Sequence, residues 1–166
     1  MKLQPCSIRD KSGKLIDLSD YNSFDPHECF EVLSRIYRFG ARMEFTVLQH
    51  LVLGLSMTDD LETKKAWILH EAFEYASGLD VPTPLKELFP WYKAAEDKYL
   101  KFVFDKHKLD YSRYGELVKP LDRLCYLVEE NHFFHGKKDL RVSQSLFDND
   151  PWAVESIYYD LFEVQK

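Results

Sequence analysis

Apolar residues recur three and four positions apart through most of this chain, and the period breaks at proline, glycine and aspartate. That spacing gathers apolar side chains on one face of a helix. A first helix is expected over 27–39, with Asp25 or a neighbour as cap, Pro26 near its first turn and Gly40 as its stop. A second, over 43–56, sets Val47, Leu48, Leu51, Val52 and Leu55 on one broad face. A third, over 60–77, carries Ala66, Ile68, Leu69, Ala72 and Phe73 and ends at Gly78. After the Pro82-Thr-Pro84 loop, a short helical turn is expected over 85–89, then a long amphipathic helix over 91–107. The stretch 111–119 is mixed, Pro120 starts a helix reaching 134, and 136–148 reads as a polar connection. Asp150-Pro151 opens a final helix over 152–163.

Only the beginning of the chain departs from this period. Residues 7–18 alternate weakly around Asp10-Lys-Ser-Gly13, the pattern of a small β-hairpin or an extended arm. No internal repeat, low-complexity tract or interior linker interrupts the rest, and 166 residues suffice for one sizeable core. The expectation is a single all-α domain over 1–166. It would consist of an arm or hairpin (1–24) and a helical core (25–166) of roughly six or seven helices.

Composition narrows the function classes. A formal charge of −6 without a basic stripe argues against a nucleic-acid polymer as partner, but leaves room for a small anion held by one or two cations and a metal. Aromatic residues are abundant at 15%, enough for a packed core and for a ring that stacks a base. Cys6, Cys29 and Cys125 are odd in number and form no C-x-x-C pair, which points to free thiols in a reducing compartment. Met1 to Asp10 lacks the apolar core of a signal peptide, and Val47 to Leu55 is too short to span a bilayer. A cytoplasmic protein with no membrane association is expected.

The candidate chemistry sits on three helices. His50 lies mid-helix at the edge of an apolar face, His70 and Glu71 are adjacent in the next helix, and Asp122 stands in the first turn of a later one. Imidazoles and carboxylates together suit a divalent ion such as Mn²⁺, Fe²⁺, Co²⁺ or Ni²⁺, with Mg²⁺ also admissible. Glu74 follows His70 by four residues and Glu71 by three, on the same side of the helix, where it can exchange protons with a bound water. Each residue alone has a plainer reading as a core histidine or a solvated helix face. His132-Phe-Phe-His135, the lysines of 98–108 and the terminal Trp152, Tyr158, Tyr159 and Phe162 are read as structural, the last group as either a subunit interface or core.

The ordered set His50, His70-Glu71, Asp122 resembles the H…HD…D pattern of the HD-domain phosphohydrolases. The surrounding text is similar to their small bacterial and phage branch of 5′-deoxynucleotidases and dATP triphosphohydrolases. The resemblance runs through Ser12-Gly-Lys-Leu-Ile-Asp-Leu18, Leu33-Ser-Arg-Ile-Tyr-Arg-Phe-Gly40, Phe45-Thr-Val-Leu-Gln-His50, Ile68-Leu-His-Glu-Ala-Phe-Glu74, Pro82-Thr-Pro-Leu-Lys86 and Val118-Lys-Pro-Leu-Asp122, covering about residues 12 to 130. It implies an HD-domain helical fold and metal ligation by His50, His70, Glu71 and Asp122. It also implies water handling by Glu74 and phosphate contact through Arg38, with Arg35 and Phe39 beside it. The implied reaction is removal of phosphate from a nucleotide, 5′-monophosphate or triphosphate, by a homo-oligomer in a bacterial or phage-infected cell.

Three departures bear on that implication. Glu71 stands where the family has Asp, extending the carboxylate by roughly 1.5 Å on an unchanged backbone. Gly78-Leu-Asp80 is one residue longer than the family's Gly-Asp, which loosens the transfer of a substrate-binding role to Asp80. The stretch between Phe39 and His50 is short and lacks a family histidine. A second reading therefore stands beside the first: a catalytically impaired HD-fold protein that binds a nucleotide or a protein partner.

Overall fold

Capping side chains and prolines decide where the helices begin. In the computed structural model, which describes residues 8–13, 15–16 and 24–163, Asp25 accepts from the Glu28 amide and Pro26 opens α1, Pro26–Leu33. Thr46 and Gln49 form a reciprocal capping box at the start of α2, Val47–Ser56. Asp60 caps α3, Leu61–Leu69, and α4, Ala72–Ser77, stops at Gly78 in the left-handed region with φ 72°. Pro84 and Pro90 sit in the first turns of α5, Thr83–Leu88, and α6, Pro90–Lys106. A 3-10 turn at Tyr111–Arg113 leads into α7, Tyr114–Leu117, and α8, Lys119–Phe134. Asp139 and Asp150 cap α9, Leu140–Ser145, and α10, Pro151–Phe162.

The expected hairpin is present as β1, Ile8–Arg9, antiparallel to β2, Leu15–Ile16, in the register Ile8↔Ile16. Its turn is tied to α1 through the Lys11 amide, which donates to Glu28 at 2.9 Å. The remainder of the 1–24 arm lies largely outside the described residues.

The helices share one core. α1 packs against α4 and α10, α2 against α3, α8 and α9, and α3 against α6, α7 and α10. Phe30, Leu33, Leu48, Leu51, Trp67, Leu69, Tyr99 and Phe104 are almost wholly excluded from solvent. Each such side chain contributes about 1.5–3 kcal/mol on leaving water. Tyr158 and Phe162 of α10 pack back onto His107, and Tyr158 also onto Phe24, so these two rings belong to the core. Among the described residues no helix is long and apolar enough to cross a membrane.

Three elements differ from their sequence-based expectation, each for a local reason. The first helix ends at Leu33, not 39. Ile36 and Arg38 instead pair with the strand-like stretch before α2, the Arg38 amide donating to Phe45 O at 2.8 Å and Val47 to Ile36 O at 2.9 Å. Phe39, Gly40 and Ala41 then turn the chain with φ of 56°, 61° and 59°.

The third helix is broken at His70-Glu71. Both the His70 amide and His70 Nδ1 bond to Trp67 O, at 3.2 and 2.6 Å, and so occupy the carbonyl that Glu71 would use to continue the helix. The polar connection after Gly136 contains α9, whose Val142 and Ser145 are buried three residues apart and whose neighbours α2 and α8 cover that face.

Candidate metal centre

The site is built around a close helix crossing. Gly54 of α2 leaves room for the Trp67 indole of α3, whose Nε1 donates to Leu51 O at 2.9 Å. The indole then forms a wall against which the His70 ring lies, centroids 4.0 Å apart, with the His50 ring 5.1 Å from the same indole. His50 and His70 thus face each other with ring centroids 5.6 Å apart.

Both imidazoles are anchored at Nδ1. His50 Nδ1 bonds to Glu129 Oε1 at 2.5 Å, and His70 Nδ1 to Trp67 O at 2.6 Å. Their Nε2 atoms are buried, take no hydrogen bond and converge on Glu71 Oε1, at 3.5 Å from His50 and 3.1 Å from His70. The break after α3 makes this convergence possible. On an unbroken helix, consecutive residues diverge by about 100°.

Charge is concentrated here. Burial opposes ionisation of Glu71, but His70, His50 and Arg38 outweigh it and hold the carboxyl well below its usual range. Burial and Arg38 push His50 down, whereas Glu129 and Asp122 overcome both and raise it to about 9. Glu74 moves the other way: burial, then the negative charge of Glu71, push its carboxyl well above the ordinary range despite Lys86 at 3.2 Å. Two neighbouring glutamates therefore sit in opposite protonation regimes, the pattern of paired acid–base groups in active sites.

A cleft of about 540 Å³ opens beside the cluster, lined by Arg38, Phe39, His70, Glu71, Glu74, Asp80, Lys86 and Asp122 among others. It adjoins a second hollow of about 690 Å³, with which it shares Arg38, Lys86 and Asp122 and which adds Lys93, Lys119 and Arg123. The Arg38 guanidinium lies 5.7 Å from the centre of the Phe39 ring.

Of the residues singled out in the sequence, His50, His70 and Glu71 form one group whose donor atoms all lie within 4.8 Å of one another. Asp122 is not part of that group, though its Oδ1 lies 3.3 Å from His50 Nε2 and its side chain is half exposed. Glu74, Arg38, Phe39 and Asp80 line the cleft. Arg35 does not: its side chain is 64% exposed and lies 4.0 Å from Glu31 on α1. Its place two positions past the end of α1 turns it to the surface. His132 accepts from the Asp139 amide at 2.9 Å, a structural role.

Sequence reasoning passed over Glu129, Lys86 and Glu96. Glu129 carried a usable signal, since it falls on the buried stripe Leu121, Cys125, Glu129, His132 of α8, where a carboxylate is out of place unless partnered. Lys86 bridges Glu74 and Glu96, a connection between α4, α5 and α6 that only the fold reveals.

The donor set fits a metal. Two buried Nε2 atoms without hydrogen bonds and an ionised carboxylate meet at one point, and the rings' other nitrogens are oriented by acceptors, as ligating histidines require. This group can hold a metal ion. No protein-family model, no curated protein and no solved structure matches this chain.

Proposed function

We propose that this chain is a metal-dependent phosphohydrolase of the HD-domain kind, acting on a 5′-nucleotide in the cytoplasm. The observation that carries the reading is the convergence of His50 Nε2, His70 Nε2 and Glu71 Oε1, the two nitrogens buried and without hydrogen-bond partners. The sequence motifs supply the reaction class.

A divalent ion held by these residues, with Asp122 beside them, supplies a Lewis acid and a more acidic bound water. Two imidazoles and a carboxylate suit Mn²⁺, Co²⁺, Ni²⁺ or Fe²⁺, with Mg²⁺ also admissible. Glu74 manages protons, because burial and the negative charge of Glu71 raise its carboxyl well above the usual range and so make it a stronger base than an ordinary glutamate. Arg38, held by Glu129 and Glu71, offsets phosphate charge at the cleft wall. The Phe39 ring offers a face for the base, and Asp80 an acceptor for a sugar hydroxyl. The resemblance also carries a homo-oligomer, for which the exposed Leu124, Leu127 and Phe134 of α8 are suited.

Metal analysis of the purified protein, followed by a phosphate-release screen over nucleoside mono- and triphosphates with Mn²⁺ or Co²⁺, tests the reading. Turnover should fall at least about 100-fold in His70→Ala and in Glu74→Gln. Absence of bound metal together with absence of phosphate release from every nucleotide overturns it.

A second reading has its own observation. Glu71 Oε1 already lies within 3.6 Å of Arg38, His50 and His70, a closed ion cluster that suits a protein binding its ligand without chemistry. Glu71→Asp separates the two. A large rise in activity marks the natural chain as impaired, and a fall marks Glu71 as a working ligand.

A further inference from the structure

Glu129 has a carboxylate with no solvent exposure, and both its oxygens face site residues. Oε1 meets His50 Nδ1 at 2.5 Å, and Oε2 lies 3.2 Å from Arg38 Nε. It follows Asp122 by seven residues on α8, about two turns along one face. Asp122 approaches the opposite nitrogen of the same ring at 3.3 Å, so one helix brackets His50 with two carboxylates.

Stability does not explain this arrangement. Burying a carboxylate forfeits several kcal/mol of hydration, and buried ion clusters are often no more stable than apolar replacements of equal volume. What the arrangement does achieve is orientation. A carboxylate facing Nδ1 places the ring proton there and leaves Nε2 with a free lone pair. The same carboxylate forms an ion pair with the Nε edge of the Arg38 guanidinium, whose Nη1 lies 3.6 Å from Glu71, so the cation is held between the two carboxylates.

We infer that Glu129 is a positioning residue that fixes the Nδ1–H tautomer of His50 with one oxygen and the Arg38 guanidinium with the other. The metal-facing nitrogen and the phosphate-facing cation are thereby set by a single side chain. The inference deepens the phosphohydrolase reading and, in its consequence for metal and nucleotide, rests on it.

The test is Glu129→Gln, which keeps shape and removes charge, with folding checked by circular dichroism. A Gln amide can donate to Nδ1 and reverse the tautomer. Mn²⁺ affinity by titration calorimetry should weaken about 10–100-fold, and the KM for nucleotide should rise with it. In a His50→Ala background the same substitution should change Mn²⁺ affinity by less than about threefold, since its route through the ring is gone. Mn²⁺ affinity of Glu129→Gln within about twofold of the natural protein overturns the inference.

If that variant fails to fold, or the natural protein binds no Mn²⁺, the natural His50 ring decides. The second case would sink the phosphohydrolase reading alone. Nitrogen NMR at about pH 10, above the value of about 9 to which the ring is raised, reads the tautomer directly. A proton on Nδ1 supports the inference, and a proton on Nε2 ends it.

Discussion

Gly54 and Trp67 meet so closely that a Cβ at position 54 would lie 2.1 Å from the indole. The indole cannot yield cheaply, because it is fully buried and hydrogen-bonded to Leu51 O. Gly54→Ala should therefore lower stability by about 1–3 kcal/mol, read by thermal or denaturant unfolding. Because the His70 ring lies 4.0 Å from the displaced indole, divalent-ion affinity should fall in the same variant. Unchanged stability and affinity would show that the crossing relaxes without disturbing the site.

Ion binding should be visible as stabilisation. A ligand that binds only the folded state adds about 2.7 kcal/mol at 100 times its Kd, so Mn²⁺ or Co²⁺ should raise the melting temperature by several degrees. His70→Ala removes a ring whose buried Nε2 makes no hydrogen bond and should abolish the shift. An equal shift in the variant would place the ion elsewhere.

Lys86 is the cation between two buried carboxylates, Glu74 at 3.2 Å and Glu96. Lys86→Met leaves both without it, and removing one partner from a buried pair costs about 3–5 kcal/mol. The loss should depend on pH. In the variant the Glu74 carboxyl, already pushed well above its usual range by burial and Glu71, also loses the cation that opposes that shift. The stability it contributes is present at low pH and lost as pH rises through its folded value. Denaturant unfolding at about pH 5 and pH 8 should show a larger deficit at the higher pH.

His107 offers the opposite sign. Burial lowers its pKa below 6.5, and its ring is bonded to Val103 O and to Tyr158 Oη, each at 2.6 Å. Above 6.5 the ring is neutral folded and unfolded, and stability is intact. As pH falls toward the lowered folded value, the unfolded chain takes up the proton first and stability drains away. Melting temperatures at about pH 7.5 and pH 5.5 should therefore diverge less in His107→Gln than in the natural protein.

The helical class, most caps and the identity of the central donors were legible in the sequence, because each is written in local periodicity or in residues adjacent along the chain. Asp25, Pro26, Asp150 and Pro151 act where their chemistry says they should. The features that escaped are those settled by distant contacts. Arg38 and, as the weaker candidate, Arg35 are both expected at the anionic pocket, yet pairing of Arg38 with Phe45 turns one inward while the end of α1 turns the other out. Glu129 and Lys86 gain meaning only from partners 79 and 12 residues away. The break at His70 depends on a ring bonding backward to Trp67 O, a choice that helical periodicity does not encode.

That break places the two donors at a joint between rods, which sets a rule for engineering this protein. Substitutions that raise helix propensity around residues 69–72 would straighten the joint and swing one donor away from the other, trading the centre for thermal robustness. The start of α5, where the exposed Pro82 provides no capping side chain, is a better place to add stability.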